Sequence, residues 1–215
     1  MTASSLEASL LEISRQVGLE IVDEAFLPSR AAKYAPVPKA LDSAVRDLLE
    51  TSYRDGLYSH QVQALEAVLN GDDVCLATST ASGKSDVFIA AAAHLLRQDG
   101  SAKVLALYPA RALIQDQVEK WENVIDFLKM RIGYIDGGVA IEERAAILRS
   151  SHVVLMTPDV AHAWLMSHLR ERDVSSFMGA LRLLVLDEAH VYDGVFGTNM
   201  AYFLRRFQAA SAAIG

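Results

Sequence analysis

"ATSTASGKSDVF" (Ala77–Phe88) is the stretch on which the reading of this chain turns. It contains Gly83-Lys84-Ser85, the tail of the pattern G-x-x-x-x-G-K-[ST], but Thr78 stands where that pattern has its first glycine. In such loops small residues let backbone N–H groups curl around phosphate oxygens. The lysine reaches the terminal phosphates and the hydroxyl ligates Mg²⁺. Thr78, Ser79, Thr80, Ala81 and Ser82 are all small, so the eight residues from Thr78 to Ser85 form a candidate phosphate cradle. The apolar run "VCLAT" at 74 reads as a strand before it, and Lys84–Arg97 reads as a helix after it. The N-terminus of that helix would favour an anion. A chance GKS in a polar turn is the alternative, and the rest of the chain decides between them.

Outward from this loop the sequence alternates. "VLALYP" at 104, "VVLMTP" at 153 and "LRLLVLDE" at 181 are continuous apolar runs of the kind that form strands buried on both faces, and "RIGYID" from Arg131 is a weaker one. Helical segments fall between them at Ala110–Leu128, Ile141–Arg149 and Asp159–Leu169. The alternation predicts an α/β fold, a parallel sheet with helices on both faces. Ligands of such sheets bind beyond the carboxyl ends of the strands. Polar motifs stand at those ends, after Thr78, after Tyr108 and at Asp187.

Asp187-Glu188-Ala189-His190 supplies the acids a phosphate loop needs. A carboxylate at the tip of a buried strand is costly unless it meets a cation. Asp187 would hold Mg²⁺, together with Ser85, and Glu188 would orient and activate the attacking water. His190, beside Glu188, would sense the terminal phosphate or couple two lobes. The catalytic candidates are therefore Lys84, Asp187, Glu188 and His190. The pairing of two motifs, each at a strand end, favours a nucleotide site, with Thr78 a tolerated variant.

Before the sheet, Leu6, Leu10, Ile13 and Val17 share a helical face that Gly18 would stop. Pro28, Pro36 and Pro38 mark an extended linker. Leu41, Val45, Leu48 and Leu49 predict a second helix, and a third runs from a Ser59 cap to about Leu69. With 215 residues and 52% apolar content the chain can build a real core. The lone cysteine, Cys75, excludes a disulfide framework, and its apolar surroundings predict a buried thiol. No apolar stretch is long enough to span a bilayer and no signal peptide is visible, so a soluble, cytoplasmic protein is expected. The net charge of −7 counts against a simple electrostatic grip on nucleic acid. It leaves room for a protein that holds a sugar-phosphate chain with a few placed amides and hydroxyls.

From about Lys33 to Phe207 the chain resembles superfamily 2 helicases of the DEAH-box kind. "TSTASGKS" looks like motif I, "YPARALIQDQ" like motif Ia, "TPD" (Thr157–Asp159) like motif Ib, and "DEAH" like motif II. "AKYAPVP", "LYSHQ", "TASGKS" and "DEAHVYDGVFGTNMAYFLRRF" are together similar to the MrfA-like DNA repair helicases, bacterial relatives of the RecQ-four-like group. Asp193 departs from that group, which usually has a basic residue there. The resemblance implies a RecA-like P-loop NTPase lobe over residues 56–215, behind a helical extension and linker over 1–55. It implies ATP and Mg²⁺ as cofactors, Gln61 as the reader of adenine, and 3′-to-5′ movement on single-stranded or partly duplex DNA in DNA repair. It also implies a second RecA-like lobe bearing arginine fingers, which this chain does not carry. The expectation is that these 215 residues alone bind ATP weakly, hydrolyse it barely and unwind nothing.

The residues themselves offer a nucleic-acid rim. Pro109 and Arg111 sit where a strand breaks into a helix and present amides and a guanidinium together; Thr157 repeats the arrangement, with Pro158 and Asp159 beside it. Gly137-Gly138 is a place where a backbone could approach closely. Alternatives remain open: a translocase on duplex DNA that separates no strands, an RNA helicase, or a lone lobe used as a scaffold. His94, His152, His162 and His168 show no metal spacing. Trp121 and Trp164 read as core, and Arg205 and Arg206 as a solvated face or, alternatively, a pair on the DNA side.

Overall fold

The computed structural model describes residues 12–14, 16–18, 31–78 and 82–214. The chain divides into residues 1–33 and a compact unit from Tyr34 to Gly215. Of the expected first helix, residues 12–14 and 16–17 are helical and Gly18 turns; its other residues lie outside the described ones, as do Pro28 and the start of the expected linker.

The compact unit opens with a small antiparallel pair, β1 (Tyr34–Ala35) against β2 (Leu57–Tyr58), with helix α1 (Ser43–Ser52) between them. Helix α2 (Ser59–Leu69) follows β2 directly; its N-cap is Tyr58 rather than the Ser59 expected from composition. The main sheet has strands β3 (Lys103–Leu107), β4 (Ile132–Ile135), β5 (Val153–Met156) and β6 (Leu181–Leu186), all parallel, in the order β4-β5-β3-β6. The connecting helices are α3 (Lys84–Gln98), α4 (Arg111–Ile125), α5 (Ile141–Ser150), α6 (Pro158–Ala163) and α7 (Arg172–Gly179), with α8 (Gly194–Ile214) last. The expected helix over Asp159–Leu169 is split. The Trp164 carbonyl accepts from the Ser167 amide and the His168 ring, so α6 stops and a 3₁₀ turn takes over at Leu165.

Side chains of a strand alternate between faces, and β3 shows what that does here. Val104 and Ala106 join Ile89, Ala92 and Leu96 of α3 and Ile114, Trp121 and Ile125 of α4. Leu105 and Leu107 face the other way, into Val160, Phe177, Met178, Phe203 and Phe207. Both faces are therefore dry, which is why these runs read as unbroken hydrophobe rather than alternation. Helix α3 is packed on two sides. Its Ala90, Ala91 and Ala93 lie against Val45 and Leu49 of α1 and Leu65 of α2, so the alanine run is a close helix contact.

Two expectations fail between Val74 and Thr78. "VCLAT" has strand composition, but residues 72–78 form no strand, because a strand needs a ladder partner and neither sheet edge, β4 nor β6, pairs with it. Val74 is 38% exposed and Cys75 is exposed rather than buried; Leu76 alone packs inward.

His94 is buried on α3, and its Nδ1 accepts from the Asp42 backbone N–H at 3.0 Å. Burial holds its pKa below the ordinary 6.5 against the opposing pull of Asp42. His152 is likewise depressed, first by burial and then by Lys103 and Arg131. Depressed histidines contribute stability that is present above about pH 6.5 and lost as pH falls from there, because the unfolded chain takes up the protons first. Urea midpoints should therefore fall from about pH 7.5 to about pH 5.5, and His94→Asn, which keeps an acceptor for Asp42, should show a shallower fall. Equal slopes for the two proteins would exclude His94 as a source of the effect.

Candidate nucleotide and nucleic-acid site

Because all four strands of the main sheet run in one direction, their carboxyl ends share one rim. Tyr108 and Pro109 leave β3, Asp136 leaves β4, Thr157 leaves β5 and Asp187 leaves β6. The loop that ends at Gly83 approaches the same side through α3.

Gly83 is the N-cap of α3 with φ 74°, a left-handed conformation that favours glycine, and a Cβ there would collide with the Gln61 amide. Thr78 is drawn into the loop: its hydroxyl shares a 2.7 Å hydrogen bond with Ser82, and its carbonyl accepts from Lys84 Nζ at 3.1 Å. A threonine thus occupies the position of the pattern's first glycine by bonding within the loop. Ser79, Thr80 and Ala81 lie outside the described residues. The Ser85 hydroxyl donates to Gln117 Oε1 at a long 3.4 Å.

Helix α2 supports this loop from behind. The His60 ring donates to the Ser82 carbonyl at 3.0 Å, and Gln61 Nε2 donates to the Gly83 carbonyl at 2.8 Å. Gln61 is 2% exposed; its Oε1 accepts from the Tyr58 amide at 2.8 Å and its Nε2 also reaches Asp86 at 3.4 Å. Asp86 accepts from the Tyr53 hydroxyl at 2.7 Å. A hollow of about 370 Å³ opens beside Gly83, lined by Tyr34, Tyr53, Tyr58, Gln61 and Asp86 among others. The Tyr34 and Tyr58 rings stack at its edge, 5.2 Å between centroids. Tyr53 and Asp86 had no motif to announce them, and His60 was legible only as part of "LYSHQ"; their roles depend on helices α1 and α2 folding against α3.

On the far side, the Asp187 carboxyl is raised above the usual range, first by burial; its bond from the Glu188 amide and the charges of Lys84 and Lys120 work against that rise. Lys84 and Asp187, far apart in sequence, therefore feel each other across the rim. Glu188 has φ 50° and pairs with His190 Nδ1 at 3.1 Å, while His190 is largely exposed. Tyr192, which sequence reasoning missed, buries a hydroxyl that has no hydrogen-bond partner among the described residues. Burial and Asp187 push its pKa up to about 12. A desolvated carboxylate with one amide donor suits a cation, and the Ser85 hydroxyl suits its hard-oxygen shell.

The nucleic-acid candidates are spread along the same rim. Pro109 is half-buried and Arg111, the first residue of α4, is exposed, with its Nε 2.9 Å from Asp136. Gly137 and Gly138 are exposed in the turn after β4. Thr157 caps α6 and Asp159 points to solvent, whereas Pro158, in the first position of α6, is buried and presents no surface to a strand. Arg205 and Arg206 are exposed on α8, and Arg206 donates to His162 at 3.0 Å. Trp121 and Trp164 are buried; Trp121 Nε1 donates to the Tyr108 hydroxyl at 2.9 Å.

Gln61 has both amide hydrogens engaged within the chain. Its truncation removes the bonds to the Gly83 carbonyl and from the Tyr58 amide, about 0.5–1.5 kcal/mol each, while the Gly83 carbonyl keeps the Asp86 amide at 3.2 Å. Gln61→Ala should lower the melting temperature by a few degrees and leave any discrimination between purine bases unchanged. A variant with native melting and lost base preference would instead make Gln61 a reader of adenine.

Comparison with known proteins agrees with this geometry. The family model for DEAD/DEAH box helicases matches residues 58–214. The ATP-dependent helicase hrq1 of Schizosaccharomyces pombe is 31% identical over 99% of this chain and 21% of its own length. The ATP-dependent helicase YprA of Bacillus subtilis is 33% identical over 83% of this chain and 24% of its own. A crystal structure of the helicase MrfA bound to DNA and AMPPNP superposes with a TM-score of 0.84 at 30% identity, covering 96% of this chain and 29% of that one. The chain thus spans less than a third of each of these relatives, and its fold is that of a RecA-like helicase lobe. Among the described residues no helix is long and apolar enough to cross a membrane. With a matching model over most of its length and the two motif-bearing loops on one rim, this chain belongs to the DEAD/DEAH box helicase family.

Proposed function

We propose that this chain is the ATP-binding lobe of an ATP-dependent DNA helicase that acts in DNA repair, moves 3′ to 5′, and works in the cytoplasm with a second RecA-like lobe. The reading is supported by the left-handed Gly83 that opens α3 with Lys84 and Ser85 behind it, and by the part-buried Asp187 carboxylate that follows β6 with the Glu188 amide as its donor. The hollow beside Tyr58 and Gly83 suits a purine and its ribose. Ser82, Gly83 and the loop from Thr78 would present amides to the phosphates, with the Lys84 ammonium on the terminal ones. Ser85 and Asp187 would hold Mg²⁺, which when bound supplies charge neutralisation at the transferring phosphoryl group. Glu188 would accept a proton from the attacking water, and the exposed His190 keeps Glu188 oriented through their 3.1 Å contact.

Along the rim, Pro109, Arg111, Gly137, Gly138, Thr157 and Asp159 would follow the sugar-phosphate chain without reading its sequence. The relative MrfA was crystallised with DNA, which supports DNA over RNA as the strand bound. The second lobe would contribute an arginine finger, a group worth about 10³–10⁵ in turnover. Residues 1–55 would serve as a helical extension to the lobe over 56–215; within that extension β1 and α1 are packed into the same compact unit as the sheet.

Binding of a fluorescent ATP analogue to the chain, with and without Mg²⁺, tests the nucleotide reading. Lys84→Ala should weaken binding at least tenfold while the melting temperature changes little, since Lys84 is half-exposed. Equal binding by wild type and Lys84→Ala would contradict it, and a nucleic-acid affinity indifferent to both would favour a scaffold lobe.

A further inference from the structure

Asp136, at the end of β4, has a side chain only 5% exposed. A buried carboxylate needs compensating donors. Oδ1 accepts from the Gly138 amide at 2.7 Å, and Oδ2 meets Arg111 Nε at 2.9 Å. The turn that carries Asp136 is itself held. The Val139 amide closes back onto the Asp136 carbonyl at 3.2 Å, and Arg144 Nε donates to the Val139 carbonyl at 3.0 Å while its guanidinium lies over Trp164.

Arg111 is anchored after β3, whereas Asp136 follows β4, and β5 lies between those strands. The ion pair therefore draws the arginine across the carboxyl end of β5, above Thr157. The arginine side chain remains 64% exposed. Gly138 leaves it room: a Cβ there would stand 3.3 Å from Arg111 Nη1 and 3.1 Å from Asp136 Oδ1. The guanidinium is thus fixed along its Nε edge and open over most of its surface.

We propose that Asp136 is a positioning residue that pre-organises Arg111 for a backbone phosphate of single-stranded nucleic acid at the end of β5. This rests on the nucleic-acid reading of the rim. A free arginine samples many rotamers, and holding it beforehand reduces the ordering that binding must impose. The opposite function is also physically available to the pair: a carboxylate that occupies Arg111 and repels phosphate. The two differ in sign, because removing a competitor tightens binding and removing a positioner loosens it.

The test is fluorescence anisotropy of a labelled single-stranded oligothymidylate with the chain, across a range of NaCl. Melting temperature and binding of a fluorescent ATP analogue are the folding controls. Arg111→Ala should weaken binding about tenfold and reduce the salt slope by about 0.7, the value of one single-strand phosphate contact. Asp136→Asn, which removes a negative charge, should nonetheless weaken binding several-fold and lower the slope, and should add nothing in an Arg111→Ala background. Gly138→Ala, which crowds Asp136 Oδ1 and the guanidinium without changing any charge, should also weaken binding and add nothing in an Arg111→Ala background. If Asp136→Asn fails to fold, an equal further loss by Gly138→Ala in that background would mark a direct strand contact at Gly138 and overturn the proposal. Native or tighter binding by Asp136→Asn, or an equal further loss in the Arg111→Ala background, would overturn the proposal while leaving the rim reading intact. Unchanged binding by Arg111→Ala would instead remove the rim reading and this inference with it.

Discussion

Parallel pairing of four strands, the inner two buried and the edge strands β4 and β6 only partly so, is the constraint from which the rest follows. It forces every strand to end on the same rim and every connection to return over a face. The polar residues that follow β3, β4, β5 and β6 are thereby assembled without any one of them needing a local reason to be near another. The cost of ending a dry strand in a carboxylate is visible at two places. Asp136 offsets it with Arg111 and the Gly138 amide. Among the described residues Asp187 has only the Glu188 amide as a hydrogen-bond donor, and burial raises its carboxyl above the usual range. The first has both oxygens satisfied within the chain; the second would suit a cation.

Helix α3 ties the rim to the segment before the sheet. One of its sides packs on Val104 and Ala106 of β3, and its alanine-rich side receives α1 and α2. That second contact brings His60 and Gln61 onto the carbonyls of Ser82 and Gly83, so the loop that should cradle phosphate is braced by a helix that precedes it. Any shift of α2 would be transmitted to the loop through these two hydrogen bonds, and Asp86 with Tyr53 links α1 to the same point.

The parts legible in the sequence were those with local signals. Buried parallel strands announce themselves as apolar runs, and β3, β5 and β6 lie where those runs are; the alanine-rich α3 was equally plain. Where composition failed, pairing was the reason. "VCLAT" has the residues of a strand but no ladder partner, and Cys75 is exposed with it. The antiparallel partnership of Tyr34 with Tyr58 spans a whole helix and left no mark beyond a proline-rich stretch. At the site, Lys84, Asp187 and Glu188 were readable because phosphate loops and strand-end acids have patterns. The engagement of Gln61 with Gly83, the orphaned hydroxyl of Tyr192, and the pairing of Arg111 with Asp136 across β5 were not, since each depends on residues brought together only by the folded sheet.

The claim on which the account stands is that the loop ending in Ser85 and the strand ending in Asp187 serve one metal–triphosphate. The most direct measurement is a crystal structure of the chain with a non-hydrolysable ATP analogue and Mn²⁺, with the metal located by its anomalous signal. The account predicts a single strong peak between the Ser85 hydroxyl and the Asp187 carboxylate, with the terminal phosphate against Lys84. A nucleotide bound elsewhere, or a metal that touches neither Ser85 nor Asp187, would contradict it.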